Sequence, residues 1–185
     1  MQLLTKKLSF TVTQYHQMGE IGIIKPEDRV ELIRGEIIKM SPIGIKHASC
    51  VRRLDALLSE KLGKRVIVDT QNPVQLDNFS QPQPDVVLLK YRDDFYNKKH
   101  PQSDDVLLLI EVADTTIETD RNDKIPLYAE MNIIEVWLVD INQECIEVYR
   151  NPSLTGYQQI ETFLPGQNIS IESFSDIIIN VSEIF

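Results

Sequence analysis

The chain has 185 residues, 42% hydrophobic and 25% charged, with a net charge of −9. That is enough apolar material for one domain with its own core, and no window approaches the roughly 18 apolar residues of a membrane span, so no membrane partner is expected. The acidic balance argues against a protein that grips phosphates through a basic face, although a nuclease that offsets its acids with bound cations escapes that objection.

Residues 1–10 read as an irregular lead-in, with Lys6 and Lys7 but no apolar run after them, so no secretory signal is expected. Thr11 and Gln14 have capping-box spacing and predict a short helix over Val12–Met18, ended by Gly19 and Gly22. Val30–Ile33 and Glu36–Met40 flank Arg34-Gly35 as a β-hairpin, closed by Pro42 and Gly44. Residues 45–62 give the clearest helix: Val51, Leu54, Leu57, Leu58 and Leu62 form one apolar stripe. His47 and Cys50 lie near that stripe. The opposite face carries Lys46, Arg52, Arg53, Lys61 and Lys64. It is either a solvated face or a surface for a nucleic-acid backbone.

Short strands are expected over Arg65–Asp69 and Pro73–Leu76, and a polar turn over Asn78–Gln83. Asp85–Lys90 reads as a strand, followed by a charged loop to Asp105. Val106–Val112 is apolar almost throughout, as in a central strand covered on both faces. Thr119–Met131 is helical in composition, with Pro126 marking a kink or the start of its main part. Glu135–Ile141, Cys145–Tyr149, Tyr157–Phe163 and Asn168–Ile171 are further strands. The apolar segment Phe174–Phe185 is expected to fold back on the body. No repeat or linker interrupts the chain, so a single domain over 1–185 is expected. Cys50 and Cys145 stand apart without zinc-site spacing, which suits a reducing, cytoplasmic setting.

The chemistry gathers between Gln83 and Asp140. Asp85 opens one strand and Glu111 lies near the end of another. If those strands are neighbours, their carboxylates converge and can hold Mg²⁺ or Mn²⁺ with a backbone carbonyl and waters. A cation so held polarises a phosphodiester and activates water. The ordinary alternative is a pair of solvated acids at strand mouths. Asp120, Lys124 and Tyr128, spaced by four, share a helix face. Turned toward the acids, Lys124 would orient water or stabilise developing charge; turned outward, it is a surface partner of Asp120. Trp137 and Leu138 read as core.

The segments Glu31–Pro42 with His47, Gln83-Pro84-Asp85, Glu111-Val112, Asp120–Lys124, Pro126–Ala129 and Glu135–Asp140 together resemble the PD-(D/E)XK nuclease superfamily. More closely, they are similar to the Uma-type restriction endonuclease family, abundant in cyanobacteria. The resemblance implies an α/β (α+β) restriction-endonuclease-like core with a mixed central sheet flanked by helices. It implies Asp85 and Glu111 as metal ligands, and DNA as substrate. The superfamily's lysine two residues after the glutamate is replaced by Ala113, which makes Lys124 the relocated lysine. Glu31 is then a further catalytic acid, and His47, Arg52 and Tyr128 are candidate substrate-binding residues. A homodimer is suggested because two-fold nucleases cut both strands, with the C-terminal segment as an interface. Two competing expectations remain: an inactive nuclease-fold protein that binds nucleic acid or a protein partner, motivated by the acidity and Ala113, and a different metal-dependent phosphoesterase.

Overall fold

The computed structural model describes residues 7–185. The first six residues of the expected lead-in lie outside that range. Thr11 caps α1 (Val12–Glu20): its hydroxyl accepts from the Gln14 N–H at 3.2 Å, and the Gln14 side chain accepts from the Thr11 N–H at 2.9 Å. The helix runs through Gly19 and ends two residues beyond the expected boundary. The hairpin forms as predicted, β1 (Val30–Ile33) against β2 (Glu36–Lys39). Arg34 (φ 50°) and Gly35 (φ 80°) both take the left-handed conformation that a tight hairpin turn demands. Gly35 is fixed by contact as well, since a Cβ there would stand 2.7 Å from the Ser9 Cβ.

Helix α2 (Ile45–Leu62) follows the predicted stripe and buries Cys50, Val51, Leu54, Leu58 and Leu62. A fully buried aliphatic side chain contributes about 1.5–3 kcal/mol, so this face is enough to fix the helix on the sheet. The sheet has six strands in the order β3 (Val66–Thr70), β4 (Val86–Lys90), β5 (Val106–Ala113), β6 (Glu135–Asp140), β7 (Cys145–Ser153) and β8 (Gly156–Phe163). Only β5 and β6 run parallel, so the sheet is mixed as expected. Pro73–Leu76 is not a strand. Val74 and Leu76 are buried, but Gln75 makes only an isolated bridge to Gln102.

The parallel step from β5 to β6 is crossed by a helical segment: α3 (Ile117–Thr119), a wide π turn (Asp120–Lys124) and α4 (Ile125–Glu130). Pro126 falls in the first turn of α4, directly after the π turn. One sheet face packs under α2 and the hairpin of β9 (Asn168–Ile171) and β10 (Phe174–Asn180); the other packs against α4. Ile179, Val181 and Ile184 are buried in the first of these cores. The C-terminal segment therefore folds back as expected, and these three side chains are not available to an interface between copies. Trp137 is fully buried and donates to Glu135 at 2.9 Å, confirming its place in the core. Among the described residues no helix is long and apolar enough to cross a membrane.

Candidate active site

The pairing of β4 with β5 begins at Val86–Ile110. Continued by one residue, that register sets Asp85 beside Glu111. A hydrogen bond carries the same information: the Val112 N–H donates to Asp85 Oδ2 at 2.9 Å. His47, near the start of α2, reaches the same oxygen through Nε2 at 3.0 Å. Gln71, in a left-handed conformation just after β3, donates its amide to Oδ1 at 3.4 Å. The carboxylate of Asp85 is thus oriented from two other strands and from the helix above them.

Glu111 lies on the sheet face that carries Leu109 and Ala113, where it meets the π turn and α4, and the charge of Asp85 is near enough to act on it. Tyr128 donates its hydroxyl to Glu111 Oε1 at 2.5 Å, and the Lys124 ammonium lies 3.3 Å from the same oxygen. Lys124 is also 3.1 Å from Glu31 Oε1 and 3.8 Å from Asp120 Oδ1. Glu31 Oε2 accepts from the Gln83 N–H at 3.1 Å, and the Thr116 hydroxyl donates to Asp120 at 2.7 Å. The hairpin that carries Glu31 is tied to α4 by a two-pronged pair, Arg34 to Glu130 at 2.7 and 2.8 Å.

Glu31, Glu111, Asp120 and Lys124 are all less than a tenth exposed. Burial pushes the Glu111 carboxyl up to about 8, against the pull of Lys124. Burial likewise raises Asp120, again opposed by Lys124. Burial alone would lower Lys124, but Glu111, Glu31 and Asp120 outweigh it and hold the ammonium above its ordinary value. It is charged at neutral pH. Tyr128 is raised well above its usual range by burial and by the neighbouring Glu111, so its hydroxyl keeps its proton and remains a donor. The hydrogen bond to Asp85 raises His47 against the effect of burial, while its buried Nδ1 has no partner.

The sequence model of the Uma2 family, described as "Putative restriction endonuclease", matches residues 12–182. The chain belongs to this family. A solved structure with the same fold is described as "a putative nuclease belonging to DUF820 from Anabaena variabilis ATCC 29413". The two superpose with a TM-score of 0.73 at 15% identity, over 95% of this chain and 97% of that one. No curated protein matches the sequence.

In this Uma2 chain Glu31 and Glu111, two of the acids expected to be catalytic, meet at the Lys124 ammonium, and Asp85 makes no direct contact with them but lies near enough for its charge to act on Glu111 and Asp120. Glu31 is not a solvated strand residue, and Lys124 is not an exposed partner of Asp120. Three other expectations change. Tyr128 is fully buried with its hydroxyl on Glu111, so it positions an acid and cannot touch substrate. His47 spends its Nε2 on Asp85. Arg52 is exposed on α2 and, among the described residues, makes no hydrogen bond or ion pair with the cluster. The sequence reading undervalued Asp120, a fourth acid in the group, and missed Gln71, Thr116 and the Gln83 and Val112 amides. Spacing of four linked Asp120 to Lys124, but no local signal marked that face as buried.

The donor set suits a hard divalent cation. Two carboxylates, with water and a substrate phosphate completing the shell, are what Mg²⁺ takes. Among the described residues no three His, Cys, Asp or Glu side chains are spaced to hold a metal by themselves. Burial raises Glu111 and Asp120 toward their protonated forms, and a bound cation would displace those protons and hold the carboxylates charged.

Proposed function

We propose that the chain is a metal-dependent DNA endonuclease that hydrolyses phosphodiester bonds, with Asp85 and Glu111 holding Mg²⁺ or Mn²⁺. The observation that carries this reading is the buried Lys124 ammonium, 3.1 Å from Glu31 and 3.3 Å from Glu111. It restores from a facing helix the cation that Ala113 denies the strand. When bound, the metal supplies a Lewis acid for the phosphoryl oxygen and lowers the pKa of a coordinated water.

Lys124 is held protonated, so it acts as a hydrogen-bond donor to the attacking water and the charged phosphorane, not as a base. The proton lost by that water goes to a carboxylate, and Glu31 is placed to take it: it adjoins Lys124 and lines the cleft described below. The water oxygen bonds to phosphorus, the bond to the leaving sugar oxygen breaks, and that oxygen takes up a proton from solvent water. Tyr128 fixes Glu111, while His47 and Gln71 fix Asp85. The test is plasmid cleavage by wild type and Asp85→Ala, in Mn²⁺ and in EDTA. Wild-type cutting that needs the metal and is abolished by Asp85→Ala is expected. Cutting in EDTA, or full activity of Asp85→Ala, would overturn the proposal.

A second reading, a nuclease fold without catalysis that binds nucleic acid or a protein partner, is favoured by Ala113 at the position of the superfamily's lysine. Calorimetry separates the two: Mn²⁺ binding lost in Glu111→Ala supports the enzyme, and DNA binding without any metal affinity supports the binder.

A further inference from the structure

A cleft of about 360 Å³ lies between the β1–β2 hairpin and the turn at 119–124. We propose that it receives one unstacked nucleobase beside the scissile phosphate, so that the substrate of this chain is single-stranded DNA. The inference rests on the nuclease reading above and adds the form of DNA that is cut.

Position comes first. Glu31 and Lys124 line the cleft and also belong to the acid cluster, so whatever enters it lies against the reacting groups. Strand alternation and register put Glu31, Ile33, Glu36 and Ile38 on one face of the hairpin, and that face is a wall of the cleft. Thr119, Asn122 and Asp123 stand opposite.

Charge decides what kind of ligand fits. The cations at the cleft, Lys7, Arg34 and Lys124, are matched in number by Glu31, Glu36 and Asp123. Each cation is already engaged: Lys7 with Glu36 at 2.9 Å, Arg34 with Glu130 at 2.7 Å, and Lys124 with Glu31. An anion gains nothing from such a lining. What remains is an apolar surface, chiefly the exposed Ile38 with the edge of the mostly buried Ile33, and neutral hydrogen-bonding groups on Thr119 and on Asn122, whose amide N–H also reaches Glu118 at 3.5 Å. Apolar side chains against the faces of a ring, with an amide and a hydroxyl at its edge, are how an extruded base is read.

Size decides the form of the nucleic acid. The volume is at the lower end for small-molecule sites, about 300–1,000 Å³. It takes a single heterocycle and no part of a stacked duplex. A base already unpaired enters freely, whereas a duplex must first lose stacking and pairing, which slows its reaction by about 10- to 100-fold.

Two measurements test the proposal. In EDTA, where no cleavage intervenes, deoxyadenosine and inorganic phosphate are titrated into the labelled protein and followed by NMR. The nucleoside is expected to shift the Ile38 methyl and Asn122 side-chain amide signals, phosphate is not, and Ile38→Trp, which fills the cleft from an exposed position, should abolish the response. In Mn²⁺, an end-labelled oligonucleotide is cut alone and in duplex. The single strand is expected to react about 10- to 100-fold faster, and Ile38→Trp to lose at least about tenfold on it with Mn²⁺ affinity unchanged. Asn122→Ala, a milder change, should shift the base preference around the cut and serves if Ile38→Trp fails to fold. Equal rates on both substrates, or variants indistinguishable from wild type, overturn the single-strand proposal and leave the nuclease standing. If wild type cuts neither substrate, the nuclease reading fails, and the nucleoside titration alone decides the cleft: no shift with the nucleoside, or a phosphate response there, ends the proposal.

Discussion

Lys124→Met puts the central pairing at risk directly. Methionine keeps the stem volume and removes only the charge, so a cavity does not confuse the result. At an effective dielectric near 20, unit charges 3.1–3.3 Å apart attract by about 5 kcal/mol, and Lys124 has two carboxylates at that range with Asp120 behind them. Desolvation of the ammonium cancels much of this gain. Removing one member of a buried ionic group nevertheless leaves the others unpaired, at about 3–5 kcal/mol. In a chain of this length each kcal/mol moves the melting midpoint by about 2–4 °C, so a fall of about 6–20 °C is expected in EDTA. The assay is thermal unfolding by circular dichroism, with urea titrations to confirm the free energy. Added Mn²⁺ should recover part of the loss, because a cation bound to the folded state replaces the missing charge. Plasmid cleavage should remain absent even where stability is recovered. A loss below about 1 kcal/mol, the range of an exposed pair, would refute the reasoning, since Lys124 would then not be the counter-charge of these acids.

Arg34→Ala removes a half-exposed pair with Glu130, so it should lower stability by no more than about 1 kcal/mol. It frees the hairpin that carries Glu31, so cleavage should fall far more than the unfolding midpoint; a parallel fall in both would argue against a positioning role. Gly35→Ala and Gly22→Ala both force a side chain to positive φ, but only Gly35 has a neighbour 2.7 Å from the new Cβ. Urea denaturation should show about 1–3 kcal/mol lost at Gly35 and less at Gly22, and equal losses would count against the contact. Burial, and then the His16 ring, depress His100, with Asp69 opposing. Its neutral form is favoured in the folded state, so stability is intact above the ordinary histidine value of about 6.5 and falls as pH drops below it. Unfolding free energies measured from pH 8 to about 5 should decline less steeply in His100→Gln.

What the sequence made legible was local. The stripe on α2, the Arg34-Gly35 turn, the apolar run of β5 and the capping box at Thr11 each depend on residues a few positions apart, and each appears where expected. The acids were legible as chemistry but not as a place. Asp85 and Glu111 come to neighbouring positions because β4 and β5 pair, and no local pattern fixes strand order. Pro73–Leu76 shows the limit from the other side: Val74 and Leu76 are buried, as their alternation suggested, yet no strand runs alongside to make the segment part of a sheet. Asp120 was hidden for a different reason. Asp120-Arg-Asn-Asp-Lys124 has the composition of a solvated turn, and only the surrounding acids and Thr116 give two of its charges a reason to be buried.

The site's dependence on two helices explains why its lysine can stand so far along the chain from its acid. On β5, Ala113 shares the side of Glu111 and is fully buried among Leu109, Tyr128 and Leu138. A lysine there would have to thread its ammonium through that packing. The crossing segment offers another route. Pro126 would set its ring against the carbonyl of residue 122 in a continued α-helix, and the chain widens into a π turn over the preceding residues, Asp120–Lys124. Wide turns of this kind recur at functional sites, and here the turn brings Asp120 and Lys124 inward together, with Tyr128 one turn on against the same Glu111 oxygen. The position that a lysine occupies in sequence is therefore less constrained than the point its ammonium must reach. On this fold that point is set by β1, β5 and the crossing helix at once, and a change in any of the three moves the charge off the acids.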